Sequence, residues 1–353
     1  MKINFIMPGL GDSGGMKVIR TYAELMKKAG EDVVIYCPIK ALNLHRYNSK
    51  LKNTIHQFYC TLKTLLETVL KNKSGIQWIW SVNGSSIRKA DVTIATLWAT
   101  AYNVFKLPDK CGKKFYFIQD YEIWDNEEFA KQSYMLSLNK IVISAWINKR
   151  LKQELNIGPF PVVINGIDSI FFNNRSINKN KPELCFLMLN HILPKKGVKN
   201  GLIAFEKIRK IYPQCHLCMF GTCSSDNLPN WVEYYRDPSK EKLLSLYSSS
   251  DIFIFPSLEE GWGLTPLEAM ASKCAVVGTN TGFVLDLGVD HENMLISPPG
   301  DIDKMVCNFI ELIEDIKLRE KIQLNGYETA KKLNWNVSAK NFLTLLYEDE
   351  NIC

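Results

Sequence analysis

Short apolar strand segments alternate with amphipathic helices along almost the whole chain, and the alternation breaks once, near the middle. Lys2–Met7 reads as a buried strand, Gly9–Gly15 as a glycine-rich turn, and Met16–Lys28 as a helix with Ile19, Tyr22, Ala23 and Met26 on one face, ended by Gly30. Further strands are expected at 32–37, 92–95, 114–119 and 140–144, then a helix over 145–155 and a short strand at 161–164. From Asn165 to Lys181 the rhythm gives way to Asn-Gly, Asn-Asn and a run of Asn and Lys before Pro182, the composition of a turn and a linker. The pattern then restarts, with strands expected at 184–189, 216–220, 251–255 and 275–278. The helices between and after them are expected at 198–210, 239–249, from Pro266, and over 302–313, 317–333 and 336–347. Repeated strand–helix–strand units make a parallel sheet covered on both faces. The expected fold class is therefore α/β, with two doubly wound domains at 1–168 and 182–334 and a final helix, 335–353, free to pack back on the first domain. Ligands of such sheets sit beyond the carboxyl ends of the strands.

A length of 353 residues suits two cores of ordinary size, and 46% hydrophobic with 23% charged residues excludes a disordered or low-complexity chain. No run approaches the roughly 20 apolar residues of a membrane span, and the opening reads as a strand rather than an export signal, so a cytoplasmic location is expected. Ten scattered cysteines in such a chain read as reduced thiols. Cys215, His216, Cys218 and Cys223 lack regular zinc-ligand spacing, and Cys215–Phe220 reads as a strand, so no metal site is expected there.

The net charge of +6 is concentrated: between Lys40 and Lys73 seven Lys or Arg face Glu67 alone. The same stretch carries Leu42, Leu44, Ile55, Phe58, Tyr59, Leu62, Leu65, Leu66, Val69 and Leu70, much of it at helical spacing. Two readings stand: an element that lies on an anionic membrane surface, making the protein peripheral on the inner face of the cell membrane, or a helix packed on its domain with a solvated basic face. Nucleic acid is not expected as a partner, because no recognised binding module accompanies the charge.

Chemistry concentrates in Glu260-Gly261-Trp262-Gly263-Leu264-Thr265-Pro266-Leu267-Glu268, directly after an expected strand. Two carboxylates, with seven residues between them, flank two glycines and a helix start. Thr265 suits an N-cap, Pro266 the first helical position, and Glu268, three residues after the cap, completes a Thr-x-x-Glu capping box. Capping leaves Glu260 unexplained, as it does Gly261 and Gly263, which make sense where backbone N–H groups face an anion or sugar oxygens. Asp301-Ile302-Asp303 has the form of a metal-binding triplet, yet it opens a helix after Pro298-Pro299-Gly300, and capping explains it.

In its setting PSLEEGWGLTPLEAMASKCAVV, this Glu-x7-Glu pattern resembles family 4 of the retaining glycosyltransferases, glycosyltransferase group 1. That family's fold is GT-B, two Rossmann-like domains facing a central cleft. The match continues in Gly14-Gly15, in VINGID at 163–168, in PKKG at 194–197, in Phe220-Gly221 and in Trp335. The resemblance implies a nucleotide diphosphate sugar as donor, no cofactor and no metal. It places Glu260 near the donor sugar, Glu268 on the ribose hydroxyls, and Lys196 on the diphosphate, with His191 as a second phosphate cation where many members carry Gly-Arg. Gly14, Gly15, Gly221, Gly261, Trp262, Gly263, Leu264 and Thr265 complete the donor-side candidates. Phe117–Trp124 resembles a rhamnosyltransferase-like subset and offers Gln119, Asp120 and Tyr121 on the acceptor side. The implied reaction is front-face transfer with retention to a glycan or lipid-linked glycan, in cell-surface polysaccharide synthesis, with the domains closing to exclude water. Gly282-Phe283 replaces the usual glycine pair and Asp286 stands where Glu is common, which leaves donor specificity open. Two alternatives share the fold: a nucleotide-sugar epimerase, which needs an acid–base pair of its own, and a non-catalytic partner of another transferase, which has no need of Glu260, Glu268 and Lys196.

Overall fold

The computed structural model describes residues 1–9, 14–70, 75–172 and 183–348, without the side chains of 67–70. The turn at 10–13, the basic residues Lys71 and Lys73, the Asn/Lys-rich linker from 173 and Cys353 thus lie outside the described residues. The chain forms two compact units. One comprises Met1–Ile143, Ile147–Asn165 and Trp335–Cys353, the other Ser144–Trp146 and Gly166–Asn334.

In the first unit the elements run β1 (Lys2–Ile6), α1 (Gly14–Lys28), β2 (Asp32–Pro38), α2 (Lys50–Leu70), β3 (Ile76–Ile79), β4 (Val92–Ala95), α3 (Trp98–Phe105), β5 (Lys113–Ile118), α4 (Glu127–Met135), β6 (Asn139–Val142) and α5 (Ala145–Leu155), whose first two residues belong to the second unit. The sheet order is β3-β2-β1-β4-β5-β6 and every pair is parallel. The order reverses between β1 and β4, which makes the switch point where doubly wound sheets place their ligands. Both faces of β1 are buried beyond its first residue, and its one buried polar residue, Asn4, is satisfied by Thr93 and by the Arg88 guanidinium.

In the second unit the order is β7 (Cys185–Leu189), α6 (Val198–Ile211), β8 (His216–Gly221), β9 (Val232–Arg236), α7 (Lys240–Ser249), β10 (Ile252–Phe255), α8 (Leu264–Ala271), β11 (Ala275–Thr279), α9 (Val284–Leu287), β12 (Leu295–Ser297), α10 (Ile302–Glu314) and α11 (Ile316–Lys331). Its sheet, β12-β11-β10-β7-β8-β9, is also wholly parallel and reverses between β7 and β10. Phe186 on β7 meets Phe205 of α6 and Phe309 of α10 edge-on, so the same strand anchors both helices.

The last helix, α12 (Trp335–Glu348), belongs to the first unit, where Phe342 packs 4.7 Å from Phe117 and 5.2 Å from Tyr22. Tyr22 also meets Trp335 edge-on and donates its hydroxyl to Asn165. The strand expected at 161–164 is absent as such. Only Val162 bridges to Val142, because Pro161 has no N–H to continue a ladder. Three strands, β3, β9 and β12, were not anticipated; β3 and β9 lie at sheet edges, where half-exposed residues blunt the apolar signal.

Candidate active site

The carboxyl ends of β7, β8, β10 and β11 in the second unit bring the conspicuous residues of the sequence together. After β7 the chain turns through Asn190–Lys196 to Gly197, whose φ of +65° lies in the left-handed region and whose added Cβ would meet the Pro256 carbonyl oxygen at 1.9 Å. Only glycine fits there. The turn is pinned to the loop after β10 by the Lys195 carbonyl, which accepts the N–H groups of Leu258 (2.7 Å) and Glu259 (3.2 Å). The result places the Lys196 ammonium 2.5 Å from Glu260 Oε2, with both side chains mostly shielded from water. Glu260 is fixed further by its own N–H, donated to Thr281 Oγ1 at 3.1 Å. An ammonium has three donors. Lys196 commits one to Glu260 among the described residues and has two for an incoming oxyanion.

His191 sits on the same turn, and its Nδ1 accepts the Leu193 N–H at 3.0 Å. Burial, then the charges of Lys196 and Lys195, hold its pKa below the ordinary imidazole value. With Nδ1 an acceptor, the neutral ring carries its proton on Nε2. His191 is thus placed to donate through its Nε2–H. Gly221, at the end of β8, allows close approach to the Asn190 carbonyl, 2.3 Å from where its Cβ would be.

The capping box expected at Thr265 and Glu268 is not formed. Gly263, at φ +96°, is the N-cap, α8 begins at Leu264, and no side chain caps it. The left-handed glycine starts the helix two residues early, so Thr265 lies inside the first turn. First-turn amides thereby stay available to an anion. Glu268 instead accepts the Tyr247 hydroxyl at 2.8 Å, and Tyr247, fully buried in α7, has its phenol pushed well above its usual pKa by burial and then by that carboxylate. The sequence offered no sign of Tyr247, which lies 21 residues away on another element.

Trp262 is buried with its ring 6.4 Å from that of Phe283, and its carbonyl accepts the Phe283 N–H at 2.7 Å. Its side chain is therefore a floor under the glycine loop rather than a stacking surface. The Gly261 carbonyl accepts the Ser144 hydroxyl at 2.6 Å. Both oxygens of Asp286 accept the Ala145 N–H at 3.0 Å, and burial raises its carboxyl to about 6, partly offset by that backbone bond. Asp286 is thus spent on the start of α5. Asp301 caps α10 through the Lys304 N–H, and Asp303 pairs with Lys207.

The remaining candidates belong to the first unit. Gly14 opens α1, and Gly15 lies against Gln119, whose buried Oε1 has no hydrogen-bond partner among the described residues. Asp120 accepts the Tyr121 N–H. Tyr121 itself is buried in a stack with Tyr134, 5.8 Å between centroids.

The hydrogen bonds of α2 turn its polar side toward the protein and leave an apolar face outward. Gln57 donates to the Ala41 carbonyl, Thr61 accepts the Ala41 N–H, and Asn53 exchanges two bonds with the Tyr47 backbone, so the polar side faces the protein. Leu51, Ile55, Phe58, Tyr59, Leu62, Leu65 and Leu66 point outward and are 42–69% exposed. Lys50, Lys52 and Lys63 share that outer surface. Among the described residues no helix is long and apolar enough to cross a membrane.

Residues 169–329 match the family described as glycosyl transferases group 1. The capsular polysaccharide biosynthesis glycosyltransferase CapM of Staphylococcus aureus is 29% identical over 181 residues, 46% of this chain and 46% of its own. The N,N'-diacetylbacillosaminyl-diphospho-undecaprenol alpha-1,3-N-acetylgalactosaminyltransferase of Campylobacter jejuni is 25% identical over 253 residues, 69% of this chain and 62% of its own. The chain spans about half the length of the curated relatives it matches. Among solved structures, Anabaena HepE in complex with UDP-glucose aligns over 100% of both chains with a TM-score of 0.69 at 15% identity, a likeness of fold.

Proposed function

We propose that this chain, which carries a group 1 glycosyltransferase domain on a GT-B fold, moves a hexosyl or deoxyhexosyl group from a nucleotide diphosphate sugar to a lipid-linked glycan, with retention and without a metal. The observation that carries the reading is the Lys196–Glu260 contact at the carboxyl ends of the second sheet. As the bond from the anomeric carbon to the diphosphate breaks, negative charge builds on the leaving group and positive charge on the sugar. A fixed ammonium beside a fixed carboxylate offsets both at once. The two unused donors of Lys196, the His191 Nε2–H and the uncapped start of α8 offset the leaving-group charge that a metal would otherwise meet. Glu268, held by Tyr247, is suited to accept two ribose hydroxyls, since a carboxylate is acceptor-only.

The acceptor class is supported from a separate direction. A helix that turns seven apolar side chains and three lysines outward is suited to an anionic lipid surface, and a transferase held there meets glycans built on lipid carriers. The names of the capsular and diphospho-undecaprenol relatives support cell-surface polysaccharide synthesis. The test is the anomeric configuration of the product, read by proton NMR coupling in EDTA. The same configuration as the donor, with turnover intact, is expected. Inversion, or loss of turnover restored by magnesium, would overturn the retaining, metal-free reading.

A further inference from the structure

A pocket of about 420 Å³ lies within the first unit, beside the inner side of α2, and none of the donor-side candidates lines it. Lys40 and Lys106 stand on its lining, together with the amide side chains of Asn43, Gln57 and Asn103, and no carboxylate lines it. Neither lysine has an ion pair among the described residues. Two unneutralised ammonium groups on one cavity, joined by neutral donors, are a site for an oxyanion rather than for an apolar guest.

Two further observations point to a ligand. Trp98 lines the pocket, is buried, and its indole N–H has no acceptor among the described residues. A buried donor without a partner is rare in folded chains and calls for one. The pocket's outer wall is also held in shape before any ligand arrives. His45 stacks on Phe129 with centroids 4.1 Å apart, its carbonyl accepts Asn126 Nδ2 at 2.8 Å, and Arg46 pairs with Asp125. A preformed wall saves the ordering cost of binding.

The position of the pocket narrows the class of ligand. Gln57 lines it from the inner side of the same helix whose outer side carries Phe58, Tyr59 and Leu62. A molecule with a phosphate or diphosphate head and an apolar tail would meet cations in the pocket and apolar side chains along α2. We propose that this pocket binds the diphosphate group of a polyprenyl diphosphate-linked molecule. The inference rests on the lipid-linked acceptor reading above and adds the site and the chemistry that recognise the carrier.

The test is calorimetric titration of the full chain with geranyl diphosphate, in the presence of saturating UDP so that the donor site is filled, with geraniol and inorganic pyrophosphate as comparisons. Geranyl diphosphate is expected to bind the UDP-loaded protein at least tenfold more tightly than geraniol. The exposed pair Lys40→Gln and Lys106→Gln together should weaken it at least tenfold, with UDP affinity unchanged. Pyrophosphate should bind and show the same dependence on the two lysines. Trp98→Phe, which keeps the wall and removes the N–H, should weaken binding while circular dichroism stays native. Binding of geranyl diphosphate that disappears when UDP is present, that geraniol matches, or that survives loss of both lysines would overturn the proposal. Failure of UDP itself to bind would count against the donor site and leave the pocket's own titration to be read without it.

Discussion

The Lys196 ammonium lies 2.5 Å from the Glu260 carboxylate across 64 residues of sequence, on two loops tied together by the Lys195 carbonyl. Each charge holds the other, so neither side chain acts alone. Replacing Lys196 by Ala should lower kcat by on the order of 10² to 10³, the range for removing one fixed donor from a developing oxyanion. Glu260→Gln should do comparable damage, and the double variant should fall well short of the product of the two losses. Steady-state kinetics of the four proteins measures this, and simple multiplicativity would mean that the contact is incidental.

Tyr247 holds Glu268, and the expected consequence is a split between binding and turnover. Tyr247→Phe removes one hydrogen bond to a charged group, worth about 1.5–3 kcal/mol. Donor KM should rise several-fold while kcat at saturation stays close to normal. Glu268→Ala should destabilise the fold through the stranded Tyr247 hydroxyl rather than through a lost helix cap, because Gly263 is the cap. Equal loss in kcat for Tyr247→Phe would place Glu268 in the chemical step instead.

What the sequence made legible was local. Strand alternation along the two halves, the Glu260–Glu268 loop and the Pro194–Gly197 turn each lie within a few residues and carry their own chemistry. What it hid was set by strand order. Tyr247, Thr281 and Ser144 reach the site from separate elements, and no spacing rule connects them to Glu268, Glu260 and Gly261. Thr265 misled because a left-handed glycine two residues earlier is as good a helix start as a capping hydroxyl. For α2 the periodicity revealed two faces but could not say which turns inward. That depended on the Ala41 and Tyr47 backbone groups, which the loop before the helix presents to its polar side.

Asp286 should make stability depend on pH with an unusual sign for a carboxylate. Its folded value of about 6 exceeds the unfolded one, so between about 4 and 6 the folded state binds more protons, and stability falls as pH rises through that window. Asp286→Asn keeps an acceptor for the Ala145 N–H and removes the titration. The melting temperature of the variant relative to the parent should therefore be higher at pH 7.5 than at pH 4.5. A difference independent of pH would contradict the raised value.

The outward face of α2 should bind anionic vesicles weakly, additively and in a salt-sensitive way. Each lysine near such a surface contributes roughly 1 kcal/mol, screened within a Debye length. Sedimentation with phosphatidylglycerol but not phosphatidylcholine vesicles at low salt is expected. Lys50→Gln, Lys52→Gln and Lys63→Gln together should abolish it, and Phe58→Ser with Leu62→Ser should weaken it. Equal binding to neutral vesicles, or none to either, would leave the helix face without a lipid role.

The most direct measurement is release of nucleotide diphosphate from a panel of nucleotide sugars, with and without a lipid-linked glycan, in EDTA. Release from at least one donor that requires the acceptor and is lost in Glu260→Gln is the expected result. Epimerised sugar formed without acceptor, or no release from any donor with any acceptor, would contradict a glycosyl transfer site built on Glu260 and Lys196.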